Sequence, residues 1–407
     1  MVNGCCSDVS SACTSSKWES SERKSMRKLL ISILISIIAC AFGLAGIEAS
    51  SAGSSTTNLK FSSTHFSNMG AENSVKVSCA IGYPKSDGCF LLVLDNRNLG
   101  LYLQINLDKS TTKISTPFSA KPLLTGAGPP TSDQAKTWIF PKVPLLKCWR
   151  NTQCVVVDAA QNMVMFQNND WNLVPIKSEG LGTVNAGDCT FTTASGIGGN
   201  GADPTNPELY CLLVDTNGFS LVYSSTNKTG ARLDLLGLVA PGGIKTPRDR
   251  TVGCNFDSWA KPWCIVGDTE GNLSVVNTGK VNINNPGFTS TSHPFGVGAS
   301  ISQIVCTGYW SCISRISDGR VFISTGSNHW QKLNQGGALS VAYGSSFQKV
   351  IIATKDGITT YETGSKKYKS YSISSPSWAS AVKTSFDCVG NHCVSYGSGN
   401  FINVLIP

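Results

Sequence analysis

The sequence predicts an all-β fold: a β-propeller of four-stranded antiparallel blades following one N-terminal transmembrane helix. Three observations carry this. A phrase of two cysteines, an apolar run, an Asp or Gly turn and a second apolar run recurs along the 407 residues. The apolar runs are short and rich in Val, Ile, Phe and Tyr, which suit a half-buried pleated surface. The cysteines between Cys79 and Cys393 fall into pairs that sit at the same place in each copy.

The clearest copy is Cys211-Leu-Leu-Val-Asp215-Thr-Asn-Gly218-Phe-Ser-Leu-Val-Tyr223. Asp-Gly or Asn-Gly between apolar runs signals a hairpin, because those residues tolerate the positive φ of tight turns. Further copies run from Cys89 through Asp95 to Gln104, from Cys154 through Asp158 to Phe166 and from Cys264 through Asp268 to Val276. Others run from Cys312 through Asp318 to Ile323 and from Cys393 through Gly397 to Val404. One copy, Val350 through Asp356 to Tyr361, lacks cysteines. An apolar segment precedes each hairpin and another follows it, as His329–Leu333 does. Four strands per unit, repeated every few tens of residues, is the signature of a propeller. One such sheet cannot bury both its faces, but sheets arranged around an axis bury each other. The copies predict seven blades, with six as the alternative if the cysteine-free or the terminal copy is not a full blade. The last copy reaches Pro407 without a fourth strand, and the segment 59–66 is expected to supply it.

The expected disulfides are local: Cys79–Cys89, Cys148–Cys154, Cys189–Cys211, Cys254–Cys264, Cys306–Cys312 and Cys388–Cys393. Each joins the first two strands of a blade and closes a short loop. Paired cysteines point to an oxidising compartment. Buried free thiols are the alternative reading.

Upstream, residues 1–28 form a polar tail with Lys17, Arg23, Lys24, Arg27 and Lys28 against Asp8, Glu19 and Glu22. Residues 29–47 are apolar and uncharged, long enough to cross a bilayer as a single helix. The flanking basic residues place the N-terminus in the cytosol, so the stretch reads as a type II signal-anchor with the C-terminal domain extracellular or lumenal. A cleaved signal peptide and a secreted protein are the alternative. Residues 48–58 are a Ser- and Ala-rich tether, and 59–407 the propeller ectodomain. Charged residues make up 14% of the chain against roughly 25% in a typical soluble domain. The net charge is +8, and the ectodomain is mildly basic. No nucleic-acid partner is expected, and oligomerisation is left open.

Asn227-Lys-Thr and Asn272-Leu-Ser are glycosylation sequons near the turns of the repeats. The stretches 117–142, 194–208, 238–250 and, more weakly, 282–299 are longer than a propeller turn needs, and long loops on a rigid scaffold are where binding resides. Trp259 and Trp263 flank Lys261 inside one disulfide loop, and Trp310 lies inside another. These aromatics, with Arg248 and Arg250, are the candidate binding residues. The repeated Asp residues read as turn formers that bond their own backbone.

No cofactor or metal is expected. The glycines 196–201 spell a dinucleotide fingerprint but lack the helix it requires. The four histidines have no metal-ligand spacing. No catalytic residues are assigned. The enzyme class worth weighing is a sialidase-like hydrolase, for which the ectodomain has arginines in sufficient number.

In layout — short cytosolic tail, signal-anchor, disulfide-rich propeller — the chain resembles the attachment glycoproteins of paramyxoviruses. The family's Asn-Arg-Lys-Ser-Cys-Ser motif and its helical stalk are absent here, so no residue roles are carried over. The resemblance implies a virion-type receptor-binding ectodomain. The expected function is a membrane-anchored binding propeller that recognises a cell-surface glycan or protein receptor. A sialidase-like glycosidase and a secreted propeller lectin are the alternatives.

Overall fold

The computed structural model describes residues 57–65, 76–80, 87–94, 100–107, 111–112, 121–122, 145–150, 153–157, 163–167, 170–174, 183–192, 208–215, 219–225, 232–239, 248–256, 262–282, 285–291, 293–308, 311–326, 329–344, 348–397 and 399–407. The tail 1–28, the apolar stretch 29–47, Asn227, Trp259 and Trp310 lie outside them.

Among the described residues the strands form seven sheets, six of four strands and one of five. The innermost strands, in chain order, are Lys76–Ala80, Leu145–Arg150, Val184–Thr192, Val252–Phe256, Ile301–Gly308, Ala338–Tyr343 and Ser385–Val389. The sheets are numbered 1 to 7 after these strands. Each innermost strand touches that of the next sheet, and the strand of sheet 7 touches that of sheet 1. The fold is therefore an all-β propeller, as the repeats predict.

Apart from the N-terminal segment described below, the strands within each sheet are antiparallel and follow chain order, and each expected hairpin forms. In sheet 4, Asp268 is fully buried and its carboxylate accepts hydrogen bonds from the backbone of Glu270 and Asn272 at 2.9 and 2.8 Å. In sheet 5, Asp318 accepts from the Arg320 backbone at 2.9 Å. These two aspartates build the hairpin turns of sheets 4 and 5. All six expected disulfides form between directly opposed residues of neighbouring strands, with Cα atoms 4.0 to 4.2 Å apart.

Apolar side chains fill the spaces between sheets. Between sheets 7 and 1, Val394, Tyr396 and Phe401 pack with Cys89, Leu91 and Ile105. Between sheets 4 and 5, Trp263, Ile265 and Val275 pack with Ile301 and Phe322. Sheet 6 lacks a disulfide, and its strands Lys349–Thr354 and Gly357–Glu362 are buried nearly throughout.

The N-terminal segment closes the ring. Lys60–His65 pairs antiparallel with Asn400–Leu405 as the outer strand of sheet 7. Just before it, Thr57–Asn58 pairs in parallel with Tyr371 and Ser372 at the edge of sheet 6. Leu59, between these two pairings, is buried in the contact of sheets 6 and 7. One continuous segment thus joins two sheets, which the sequence did not indicate.

Two expectations need correction. A helix, α1 (Trp378–Thr384), precedes the innermost strand of sheet 7. The repeat pattern concealed it, because seven residues are too few to show helical periodicity. Its Trp378 is fully buried and donates to the Thr354 carbonyl at 2.9 Å. Residues 282–299 are not one long loop: Asn285–Thr291 is the outer strand of sheet 4. Among the described residues, no helix is long and apolar enough to cross a membrane.

Candidate functional site in the central channel

The innermost strands converge on the axis. Several of their backbone N–H groups are satisfied across sheets by side chains, and the residue just before the first cysteine does much of this. Asp387 accepts from the Cys79 backbone of sheet 1 at 2.7 Å and from its own neighbour Cys388 at 2.8 Å. Ser78 accepts from the Cys148 backbone of sheet 2 at 2.9 Å. Asp188 accepts from the Cys254 backbone of sheet 4 at 2.8 Å and from Cys189 at 2.9 Å. A buried amide without an acceptor is costly, so each clasp both satisfies a donor and fixes the next sheet. Sheets 2 and 3 are joined instead by an ion pair, Lys147 to Asp188 at 3.2 Å.

Sheet 4 has Gly253 at this position. A Cβ there would lie 2.8 Å from Ile304 Cγ2 and 2.9 Å from Cys306 Sγ. The close approach of sheets 4 and 5 leaves no room for a side chain. Between sheets 5 and 6 the clasp is Gln303. Its Nε2 donates to the Val341 carbonyl at 2.9 Å, and its Oε1 accepts from the Val341 N–H at 3.1 Å.

A cavity of about 130 Å³ lies at the axis, bordered by Lys76, Lys147, Asp188, Asp249, Arg250 and Asp387. A tight turn before sheet 4 supplies two of these charges. The Arg248 N–H donates to Thr251 Oγ1 at 3.0 Å, and that hydroxyl donates back to the Arg248 carbonyl at 2.7 Å. The turn holds Arg250 at φ 70°, a left-handed conformation uncommon outside glycine. Asp249 forms an ion pair with Lys76 of sheet 1. Arg250 Nη2 donates to the Thr384 carbonyl at 3.1 Å, at the entry to sheet 7. The turn therefore reaches across the ring.

The electrostatics follow from burial. Burial pushes the Arg250 guanidinium down from its ordinary value, opposed by Asp249 and Asp387. Burial also acts downward on Lys147, but the Asp188 and Asp387 carboxylates outweigh it and raise the ammonium above its usual range. Burial raises Asp387, against the Cys79 N–H, Lys147, the Cys388 N–H and Arg250. Most of the charge in the channel is thus spent joining one sheet to another.

The sequence-predicted site residues fare unequally. Arg250 lies in the channel, while Arg248 stays exposed at its edge. Trp263 is 2% exposed and packed between sheets 4 and 5, so its ring is not presented to a ligand. The correction has a simple cause: Trp263 stands on the strand Pro262–Gly267 itself and not on the loop before it. Of the sequons, Asn272 donates its side-chain amide to Asp268 at 2.9 Å, and Ser274 is fully buried. Arg320 pairs with Asp318 at an exposed turn, 2.7 Å apart. The clasp residues Ser78, Asp188, Asp387 and Gln303 were missed. For Ser78, Asp188 and Asp387 the visible signal was a polar residue directly before the first cysteine, whereas Gln303, three residues before Cys306, carried none. Among the described residues, no group of three or more His, Cys, Asp or Glu side chains is placed to hold a metal ion.

No protein-family model and no curated protein sequence matches the chain. Solved structures do. The chain is similar to BBS1N in complex with ARL6DN, with a TM-score of 0.54 and 12% identity over 86% of this chain and 98% of that one. It is similar also to YCF48 bound to D1 peptide, with a TM-score of 0.50 and 11% identity over 87% of this chain and 100% of that one. Identities this low establish kinship of fold alone, and the fold is the all-β propeller.

Proposed function

We propose that this chain is a membrane-anchored, extracellular or lumenal propeller of seven blades that recognises a glycan or protein receptor through its loops. The observation that carries the reading is the use of the channel's polar groups. Asp387, Ser78, Asp188 and Gln303 each tie one sheet to another. The ring is thereby a rigid frame, and recognition falls to the loops that it carries. Six disulfides support passage through an oxidising compartment. Residues 29–47 serve as the anchor in this reading, with 1–28 as the cytosolic tail, 48–58 as the tether and 59–407 as the ectodomain. Asn227 and Asn272 are its candidate glycan acceptors. The similar propellers solved with a peptide or a protein partner support recognition of a protein.

The test displays the full chain on transfected cells and measures adhesion of target cells with and without prior sialidase treatment. Adhesion lost on treatment identifies a sialoglycan receptor, and adhesion that survives identifies a protein or non-sialylated one. A chain that reaches the surface and adheres to no cell type in a broad panel would overturn the receptor-binding reading.

A further inference from the structure

Positive charge is unevenly spread over the chain. Residues 325–383 carry seven lysines and no arginine against Asp356 and Glu362, which is +5 of the net +8. Four of these lysines gather at one end of sheet 6. Its strands Lys349–Thr354, Gly357–Glu362 and Lys367–Ser372 set Lys349, Glu362 and Lys367 side by side in register. Lys369 stands two residues along from Lys367, on the same face and about 7 Å away. Lys366 lies in the turn before the outer strand, at φ 55°. Lys366, Lys367 and Lys369 are exposed, and Lys349 is half-buried.

Little on the protein answers this charge. Among the described residues, no ion pair includes any of the four lysines. Glu362 accepts instead from the Ser365 hydroxyl at 3.0 Å. Lys369 is held over the Tyr371 ring, 5.0 Å from its centre. Thr57–Asn58 covers the sheet edge at Tyr371 and Ser372 alone, so residues 367–370 form an open edge. Within it Tyr368 is 40% exposed. Its ring lies 4.7 Å from that of Tyr361, and its hydroxyl accepts from the Asn334 N–H at 3.0 Å. The edge thus presents a fixed aromatic ring among the lysines. Edge lysines deter strand pairing. Lys349, on an interior strand, and Lys366, in the turn, have no such duty.

We propose that this end of sheet 6 binds a sulfated polysaccharide. The side chains select the ligand. Lysine is a point charge on a flexible stem, whereas recognition of a single carboxylate favours the planar fork of arginine. The patch has the first and lacks the second. Lysines spread over a turn and three strands meet a chain of repeated anions better than one terminal anion. The ring of Tyr368 suits the C–H face of a sugar. The disulfides place the domain where sulfated glycans, and not nucleic acids, are the polyanions at hand. The proposal rests on the receptor-binding reading and names the class of glycan.

The test measures binding of the purified full chain, in neutral detergent, to immobilised heparin, desulfated heparin, hyaluronate and double-stranded DNA. The expected result is salt-sensitive binding to heparin that is lost on desulfation. Replacing Lys366→Asn, Lys367→Gln and Lys369→Gln together should weaken it roughly tenfold or more. Replacing Lys332→Gln, Lys355→Gln and Lys383→Gln removes the same charge elsewhere and should change it less than about twofold. No binding to heparin, equal binding to desulfated heparin, hyaluronate or DNA, or an equal loss in both triple variants would overturn the proposal. Should the first variant not fold, acetylation of the wild type decides the matter. Protection of Lys366, Lys367 and Lys369 by heparin supports the site, and protection confined to other lysines refutes it. Failure here with cell adhesion intact strikes the sulfated ligand and leaves the receptor-binding reading standing. Heparin binding without adhesion to any cell keeps the site and strikes that reading.

Discussion

Asp387 illustrates how a single side chain serves the ring. Its carboxylate accepts two backbone N–H groups, one of them from the neighbouring sheet. Asp387→Asn keeps one acceptor oxygen and turns a donor toward the other N–H. A loss of about 1–3 kcal/mol is expected, read from urea unfolding. The loss should depend on pH. Burial raises Asp387 in the folded protein, so its stabilising contribution is complete below the ordinary carboxylate range and falls away as pH rises through the raised value. The gap between wild type and Asp387→Asn should therefore narrow as pH rises through that window, and a constant gap would contradict the assignment. Gly253 makes the opposite point. The added methyl of Gly253→Ala would meet Ile304 and Cys306 below 3.0 Å. The expected cost is about 1–3 kcal/mol, from overpacking and not from backbone conformation.

Among the described elements, α1 (Trp378–Thr384) departs from the repeat. It packs against the strand His392–Gly397, where Gly397 leaves room for the helix backbone at Ala381. Trp378, Ala381 and Val382 are fully buried, and the indole of Trp378 is also satisfied by Thr354 of sheet 6. Trp378→Ala should cost about 3–5 kcal/mol and shift the cooperative transition as a whole. Unfolding that begins locally at sheets 6 and 7, seen by hydrogen exchange, would show the helix to be an appendage. The disulfides differ as elements through loop length. Cys189–Cys211 spans 22 residues and Cys388–Cys393 spans 5. In the chain-entropy account the longer loop stabilises by roughly 1 kcal/mol more. Paired Ser substitutions, compared by thermal melting, test that order.

At the scale of the whole molecule, stability depends on closing the ring. The segment Thr57–His65 pairs with sheet 6 and then with sheet 7, so its deletion removes the outer strand of one and the edge pairing of the other. Deleting residues 57–65 should raise amide exchange in Asn400–Leu405 to near that of unfolded chain while sheets 3 and 4 stay protected. Uniform protection after deletion would mean that the ring does not rely on this closure.

Much of this architecture was legible in the sequence, because strand alternation, turn residues and cysteine spacing act over a few residues. The hairpin from Cys211 to Tyr223 and the pairing of Cys254 with Cys264 are local events that neighbouring residues decide. Even the handover of Leu59–Phe66 was readable, because the last repeat lacked a strand. The rest depends on how sheets meet across the axis. Nothing near Asp188 in the chain names Cys254, 66 residues away, as its donor. Nothing near Arg250 names Thr384, 134 residues on. Trp263 looked like a loop aromatic until the packing of sheets 4 and 5 enclosed it. The sequence by itself determined the strands, the turns and the disulfides, since those arise from local backbone preference and short-range closure. The tertiary structure alone decided which side chains line the channel and which charges meet there, because convergence on an axis brings together residues that the chain keeps far apart.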